Sequence, residues 1–268
     1  MTSASLEDRV RKWLSDQGYP LEMRVARITG ATGAGWDHGR VYLDPVTGKT
    51  REIDLMGYFD RATWSDPPFS VHVIFECKHT RDKPWILFCT DRPGIRPRGF
   101  VRSVPATTHA KGAITATLKE AHRTEDDSPI TSMDMFRPPG GLIGFNLARA
   151  HTDNQDTAFH AMRGVSGAAE ATAQDIGKYG HAVLYLPVIV IDSPLMQCFL
   201  PDGHDDVELT ETGRGVLLYP TGPGSRTLIH VVTVEALPEF LGRVASESEN
   251  LRSLVAPHLR PPGGSSGR

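Results

Sequence analysis

The sequence predicts a mixed α/β (α+β) protein with a central mixed β-sheet flanked by helices, and three observations carry that expectation. The continuous apolar run from Ala182 to Ile191 has strand length and reads as a strand buried on both faces. The runs 51–58 and 70–78 each follow a turn signal, Asp44-Pro45-Val46-Thr47-Gly48 and a Pro-Pro break at 67–68, and read as two further strands. Helical stretches fall among the strands without regular βα alternation. With 268 residues, 39% of them hydrophobic and 23% charged, the chain can bury roughly 70–75% of its unfolded surface. A wholly disordered or collagen-like chain is excluded.

The elements follow in order. Ser5 caps a first helix whose apolar stripe is Leu6, Val10, Trp13 and Leu14, with Asp8 completing a capping box and Gly18 supplying a stop. Leu21, Met23 and Val25 alternate with Glu22 and Arg24, which predicts a half-exposed strand. The Pro/Gly/Arg-rich stretch 84–105 reads as irregular, 106–122 as a helix and 142–147 as a strand. Residues 156–179 read as a helix interrupted near Gly164 and Gly167, with Ser166 as a cap. Short strands around Cys198, Val207, Val216 and Leu228 precede a last helix over 236–255, and 261–268 reads as a disordered Pro/Gly/Ser tail. The expected organisation is one domain over 1–260: a core at 5–192 with an insertion at 85–158, and a β-rich C-terminal extension at 193–260.

No run of about 18 apolar residues is present, and Glu7 and Asp8 stand where a secretory signal would need a basic and then an apolar stretch. The three cysteines are odd in number and scattered, which predicts reduced thiols in a cytoplasmic protein with no membrane partner. A net charge of −3 argues against wholesale coating of nucleic acid.

Chemistry concentrates on the two acidic strands. Glu76 and Lys78 are two apart and share a face, while Cys77 points the other way. If the strands pair as a hairpin, Asp54 joins them. Converging carboxylates repel and call for a divalent cation, and an adjacent ammonium can orient a water or neutralise charge on a phosphate. Downstream, Lys78, Arg81, Lys83, Arg92, Arg96, Arg98 and Arg102 face only Asp82 and Asp91, a local balance of +5 interleaved with Trp85, Phe88 and Phe100. Arg81 to Arg102 are therefore candidate phosphate-backbone contacts. The acidic stretch 201–211 would repel such a backbone and is expected far from it. Thr47-Gly48-Lys49-Thr50 lacks the first glycine of a P-loop and reads as a hairpin turn.

Asp54, 21 intervening residues, and then Glu76-Cys77-Lys78, set in "REIDLMG" and "VIFECKHT", resemble the PD-(D/E)XK nuclease motif of the restriction-endonuclease-like superfamily. The order helix, three strands, helix, strand over about 5–192 is similar to the family core, although Ile53 stands where the family has proline. The resemblance implies Mg²⁺-dependent hydrolysis of DNA phosphodiester bonds (Mn²⁺ substituting) in bacterial defence or DNA processing, with RNA left open. It implies that Asp54, Glu76 and the Cys77 carbonyl hold the metal, that Lys78 positions water, and that Glu7 is an accessory ligand. Gln174 or Lys178 would face the site from the helix before the last strand. Cleavage of both strands implies a homodimer or a partner subunit. The rival expectation is an inactive nuclease-fold subunit that binds DNA or serves assembly.

Overall fold

The computed structural model describes residues 5–59, 69–80, 83–92, 94–120, 125–151 and 156–259. Arg81, the Pro67-Pro68 break and the 261–268 tail lie outside the described residues. Helix α1 (Leu6–Leu14) forms as expected: the Ser5 Oγ accepts from the Asp8 N–H, and the Asp8 carboxylate accepts in return from the Ser5 N–H, both at 3.1 Å. Its apolar stripe is not buried, however; Leu6, Val10 and Trp13 are all exposed.

The predicted strand at 21–25 is instead the start of a helix, α2 (Tyr19–Ala31). Pro20 occupies the first turn, where its missing N–H costs nothing. Leu21, Val25, Ala26 and Thr29 all face the core, and that helical spacing overrides a period-two pattern only five residues long.

Strands β1 (Gly35–Leu43), β2 (Thr50–Tyr58) and β3 (Phe69–Lys78) form an antiparallel meander. The β1–β2 connection is the expected turn: the Asp44 carboxylate accepts from the Val46 and Thr47 N–H groups, and Gly48 takes the left-handed φ of 65°. Next come β4 (Trp85–Thr90), α3 (Pro97–Arg102) and α4 (Thr108–Glu120), then short 3₁₀ turns up to residue 141 and β5 (Ile143–Arg149). The stretch 84–105 is thus a strand and a helix rather than irregular chain.

Helix α5 (Asp156–Gly177) is unbroken, and Ser166 lies inside it, its hydroxyl bonded back to the Met162 carbonyl at 2.8 Å instead of capping. Then follow β6 (Ala182–Ile191), β7 (Leu195–Phe199), β8 (Glu208–Thr212), β9 (Arg214–Gly222), β10 (Ser225–Thr233) and α6 (Leu237–Val255).

All ten strands join one mixed sheet in the order β1-β2-β3-β6-β10-β9-β5-β4-β7-β8. β6 runs parallel to both β3 and β10. The supposed insertion therefore supplies β4 and β5 to the sheet, and the supposed extension is not peripheral, because β10 and β9 lie between β6 and β5. Every residue of β6 is buried. One face of the sheet, with Leu55, Val73, Phe75 and Cys77, packs on α2, α4 and α6; the other, with Met56, Ile74, Tyr185 and Ile189, packs on α5. Each large apolar side chain so enclosed contributes about 1.5–3 kcal/mol. Among the described residues no helix is long and apolar enough to cross a membrane.

Candidate active site

The β2–β3 ladder brings the acidic residues together at its open end. Leu55 stands opposite Phe75, and just beyond that pair the Asp54 carboxylate accepts the Cys77 N–H at 2.7 Å. Strand alternation sends Phe75 and Cys77 into the helix-rich layer and turns Glu76 and Lys78 to the opposite side. There the Lys78 ammonium meets the Glu76 carboxylate at 2.5 Å, with side chains only 25% and 19% exposed.

Two neighbours complete the local frame. β1 pairs with β2 at His38–Leu55 and Arg40–Ile53, which leaves Gly39 opposite Asp54 with a φ of 64°. A side chain there would be strained, and a Cβ would approach the Glu52 carboxylate to 3.1 Å. His38 Nδ1 sits 3.1 Å from the Asp54 carbonyl oxygen. From the other layer, α5 passes close enough that a Cβ on Gly164 would lie 3.3 Å from Glu76 Oε2. The Tyr42 hydroxyl donates to the Gly164 carbonyl and fixes that approach. The two helical glycines that looked like breaks are the points where the helix leans on β1 and β3.

The electrostatics are those of surplus negative charge held away from water. Burial raises the pKa of Asp54; the Cys77 N–H and Lys78 pull it back, and Glu52 adds to the rise. Burial likewise raises Glu76 against the pull of Lys78, with Asp54 and Glu22 adding to it. Burial acts to lower the Lys78 pKa, but its attraction to Glu76 and Asp54 outweighs that and leaves it raised. Lys78 thus stays an ammonium.

Of the acids on the first two helices, Glu22 of α2 rather than Glu7 feels the charge of Asp54. Burial raises the Glu22 pKa, and the next largest cause is the charge of Asp54. Glu7 is paired with Arg11 at 2.6 Å on an exposed helix with no buried residue. Glu22 was hidden in the sequence by the mistaken strand at 21–25. The signal that could have found it was Pro20 in a first helical turn followed by Leu21 and Val25 at helical spacing.

Gln174 and Lys178 do not reach the site. They lie 10 and 14 residues beyond Gly164, about 15 and 21 Å along the chain direction of α5 and its terminal turn. The basic segment is not one surface either. Lys83 donates to the His151 carbonyl at 2.9 Å, Arg92 pairs with Asp202, and Arg96 and Arg98 both lie within 4 Å of Asp126. The acidic stretch expected to keep away thus supplies the partner of Arg92. Arg102 lines a cleft at the opposite end of the sheet.

One further polar web borders the site. His79 Nδ1 pairs with Asp192, its Nε2 lies 3.1 Å from the Ser15 carbonyl, and Asp192 also accepts the Thr80 N–H at 2.9 Å. This ties the ends of β3 and β6 to the end of α1.

Among the described residues no three His, Cys, Asp or Glu side chains gather closely enough to hold a metal between them. The donor chemistry of Asp54, Glu76 and the Cys77 carbonyl is nonetheless all oxygen, with carboxylate charge left uncompensated. That suits Mg²⁺, which is commonly held by one or two carboxylates and completes its shell with water and substrate phosphate. Comparison of the chain with protein-family models, with curated proteins and with solved structures gives no match.

Proposed function

We propose that the protein is a divalent-metal-dependent nuclease with a restriction-endonuclease-like core, acting on DNA. The observation that carries the reading is the meeting of Asp54, Glu76 and Lys78 at the end of two paired strands, with Glu22 close enough for its charge to be felt. The succession α2, β1, β2, β3, α5, β6, with β6 parallel to β3 beside it, supports the same core.

In this reading Asp54, Glu76 and the Cys77 carbonyl hold Mg²⁺ or Mn²⁺, which when bound supplies positive charge to the phosphate and a water of lowered pKa. The Cys77 N–H holds one Asp54 oxygen and so fixes how that carboxylate is presented. Lys78 orients the attacking water, or neutralises charge growing on the phosphate, from its place beside Glu76. Glu22 adds negative potential, which favours the cation. The substrate and the setting of bacterial defence or DNA processing belong to the same proposal, as do the cytoplasmic location and a homodimer or partner subunit for cutting both strands.

Two observations favour the rival reading, an inactive subunit that binds nucleic acid or serves assembly: Lys78 is engaged by Glu76, and no three-ligand metal group is gathered among the described residues. Nicking of supercoiled plasmid with Mg²⁺, Mn²⁺ or EDTA, beside Lys78→Ala, separates the two. Metal-dependent nicking that disappears in the variant supports the nuclease. Intact plasmid throughout, with no heat of Mn²⁺ binding in calorimetry, supports the inactive subunit. Intact plasmid with Mn²⁺ binding that Asp54→Ala abolishes points to a nuclease lacking its partner.

A further inference from the structure

A concentration of positive charge lies at the other end of the sheet from the acidic site. A cleft of about 510 Å³ opens where α3 ends, α4 begins, α5 ends and the β9–β10 turn folds over. Ala106, on its wall, bridges Leu184 of β6, whereas Glu76 is level with Ile189. Five residues of strand, about 16 Å, therefore separate the cleft from the acidic site.

Four cations from four different parts of the chain line this cleft: Arg102, Lys111, Lys178 and Arg226. Lys178 is held on Asp175 at 3.0 Å, while the side chains of Lys111 and Arg226 have no hydrogen-bond or ion-pair partner among the described residues. The first turn of α4, carrying Thr108 and Lys111, adds the partial positive charge of a helix start. Against these stands one acid, Glu170, whose Oε1 accepts from the buried Thr227 hydroxyl at 2.7 Å. Gln174 lies one turn further along the same helix. Among the described residues no aromatic ring lines the cleft, so they offer a base no surface to stack on.

We propose that this cleft binds a small phosphorylated sugar. Cations converging from separate elements suit a compact, multiply charged oxyanion. The single carboxylate and the amide beside them suit neighbouring hydroxyl groups. A bare phosphate would gain nothing from Glu170, and a base would find no stacking partner. The volume is ample for a pentose or hexose phosphate. The inference is independent of the chemistry at Asp54.

Titration calorimetry with ribose 5-phosphate and glucose 6-phosphate tests it, with AMP, ribose, inorganic phosphate and a 12-nucleotide DNA strand as comparisons. At least one of the two sugar phosphates is expected to bind more tightly than both inorganic phosphate and ribose, and at least as tightly as AMP. Lys111→Ala/Arg226→Ala should weaken that ester about tenfold or more, a loss of about 1.4 kcal/mol. Both side chains are exposed, and an unchanged melting temperature checks the fold. Glu170→Gln should weaken the ester while inorganic phosphate binds as well as before or better, the signature of a hydroxyl contact. No heat with either sugar phosphate overturns the proposal, as does binding of AMP alone or binding indifferent to the double variant. Binding of the DNA strand alone, lost in the double variant, also overturns it and makes the cleft a backbone track.

Discussion

The carboxylate of Asp54 and the backbone N–H of Cys77 are joined by a 2.7 Å hydrogen bond across two antiparallel strands. The bond lies where the β2–β3 ladder runs out, so a side chain takes the place of the next backbone acceptor. The same contact fixes the relative height of Asp54 and the Glu76-Cys77-Lys78 segment. A one-residue slip of register would break it and turn Glu76 and Lys78 toward the wrong layer.

Lys78→Ala should destabilise the protein by about 1–3 kcal/mol at pH 7, because Glu76 would be left largely buried without its counter-charge. The Glu76 pKa is already raised, and losing Lys78 raises it further. A group raised in the folded state binds its proton there first, so the penalty shrinks as the pH falls toward 5. Urea melts of both proteins at pH 7.5 and 5 measure this; a penalty that grows on acidification would disprove the coupling.

Glu22→Gln should weaken Mn²⁺ binding about three- to tenfold, up to about 1.4 kcal/mol, while Glu7→Gln leaves it unchanged. Calorimetry on the two variants distinguishes the acid that Asp54 feels from the one paired with Arg11. Equal effects would remove Glu22 from the site.

Gly164→Ala should separate stability from activity. Alanine gains up to about 1 kcal/mol of helix propensity, yet its Cβ would stand 3.3 Å from Glu76 Oε2 and oblige that carboxylate to give way. The melting temperature is expected to hold or rise while metal-dependent nicking falls about tenfold, equivalent to about 1.4 kcal/mol in the barrier. Undiminished nicking would show that the exact seat of Glu76 is unimportant.

Acid should weaken the fold through two imidazoles, His230 fully buried and His72 partly so. Burial depresses the pKa of His72 to about 3, with Arg40 and His181 adding to the effect, and that of His230 to about 3, with Arg214 adding. Below pH 6.5 the unfolded chain takes up protons that these two refuse, so stability is full above about 6.5 and is lost as the pH falls toward 3. Between pH 7 and 5 each contributes a loss on the order of 1–2 kcal/mol. His72→Phe, which keeps a ring between Tyr58 and Tyr185, should flatten the acid slope seen in urea melts. An unchanged slope would place the pH sensitivity elsewhere.

What the sequence revealed and what it concealed follow from the range of each signal. Strands β2, β3 and β6 were legible because each is a run of apolar residues next to a turn or glycine, and the Glu76–Lys78 pairing followed from strand alternation alone. Helix α2 is misread because Leu21 and Val25 fit both periods, and only the exposure of Met23 and the burial of Ala26 and Thr29 decide between them. The unbroken α5 was hidden for a related reason. Gly164 and Gly167 weaken a helix locally, and the contacts that make them worthwhile, with Glu76 and Tyr42, come from strands some 90 to 125 residues earlier in the chain. The scattering of the basic segment likewise depends on partners such as Asp202 and Asp126, which no local pattern reveals.

The place of β10 and β9 in the middle of the sheet governs the order in which the molecule can be made. A ribosome delivers β6 well before the hairpin that must cover its second edge, so the nascent chain carries a wholly apolar strand with one open edge until residue 233 has emerged. Such an edge invites pairing with a neighbouring chain. A polypeptide stopped after Ile191 would already contain Asp54, Glu76 and Lys78 yet lack the strand that closes the sheet beside them. Such a fragment would carry the acidic residues on a sheet that lacks its central hairpin.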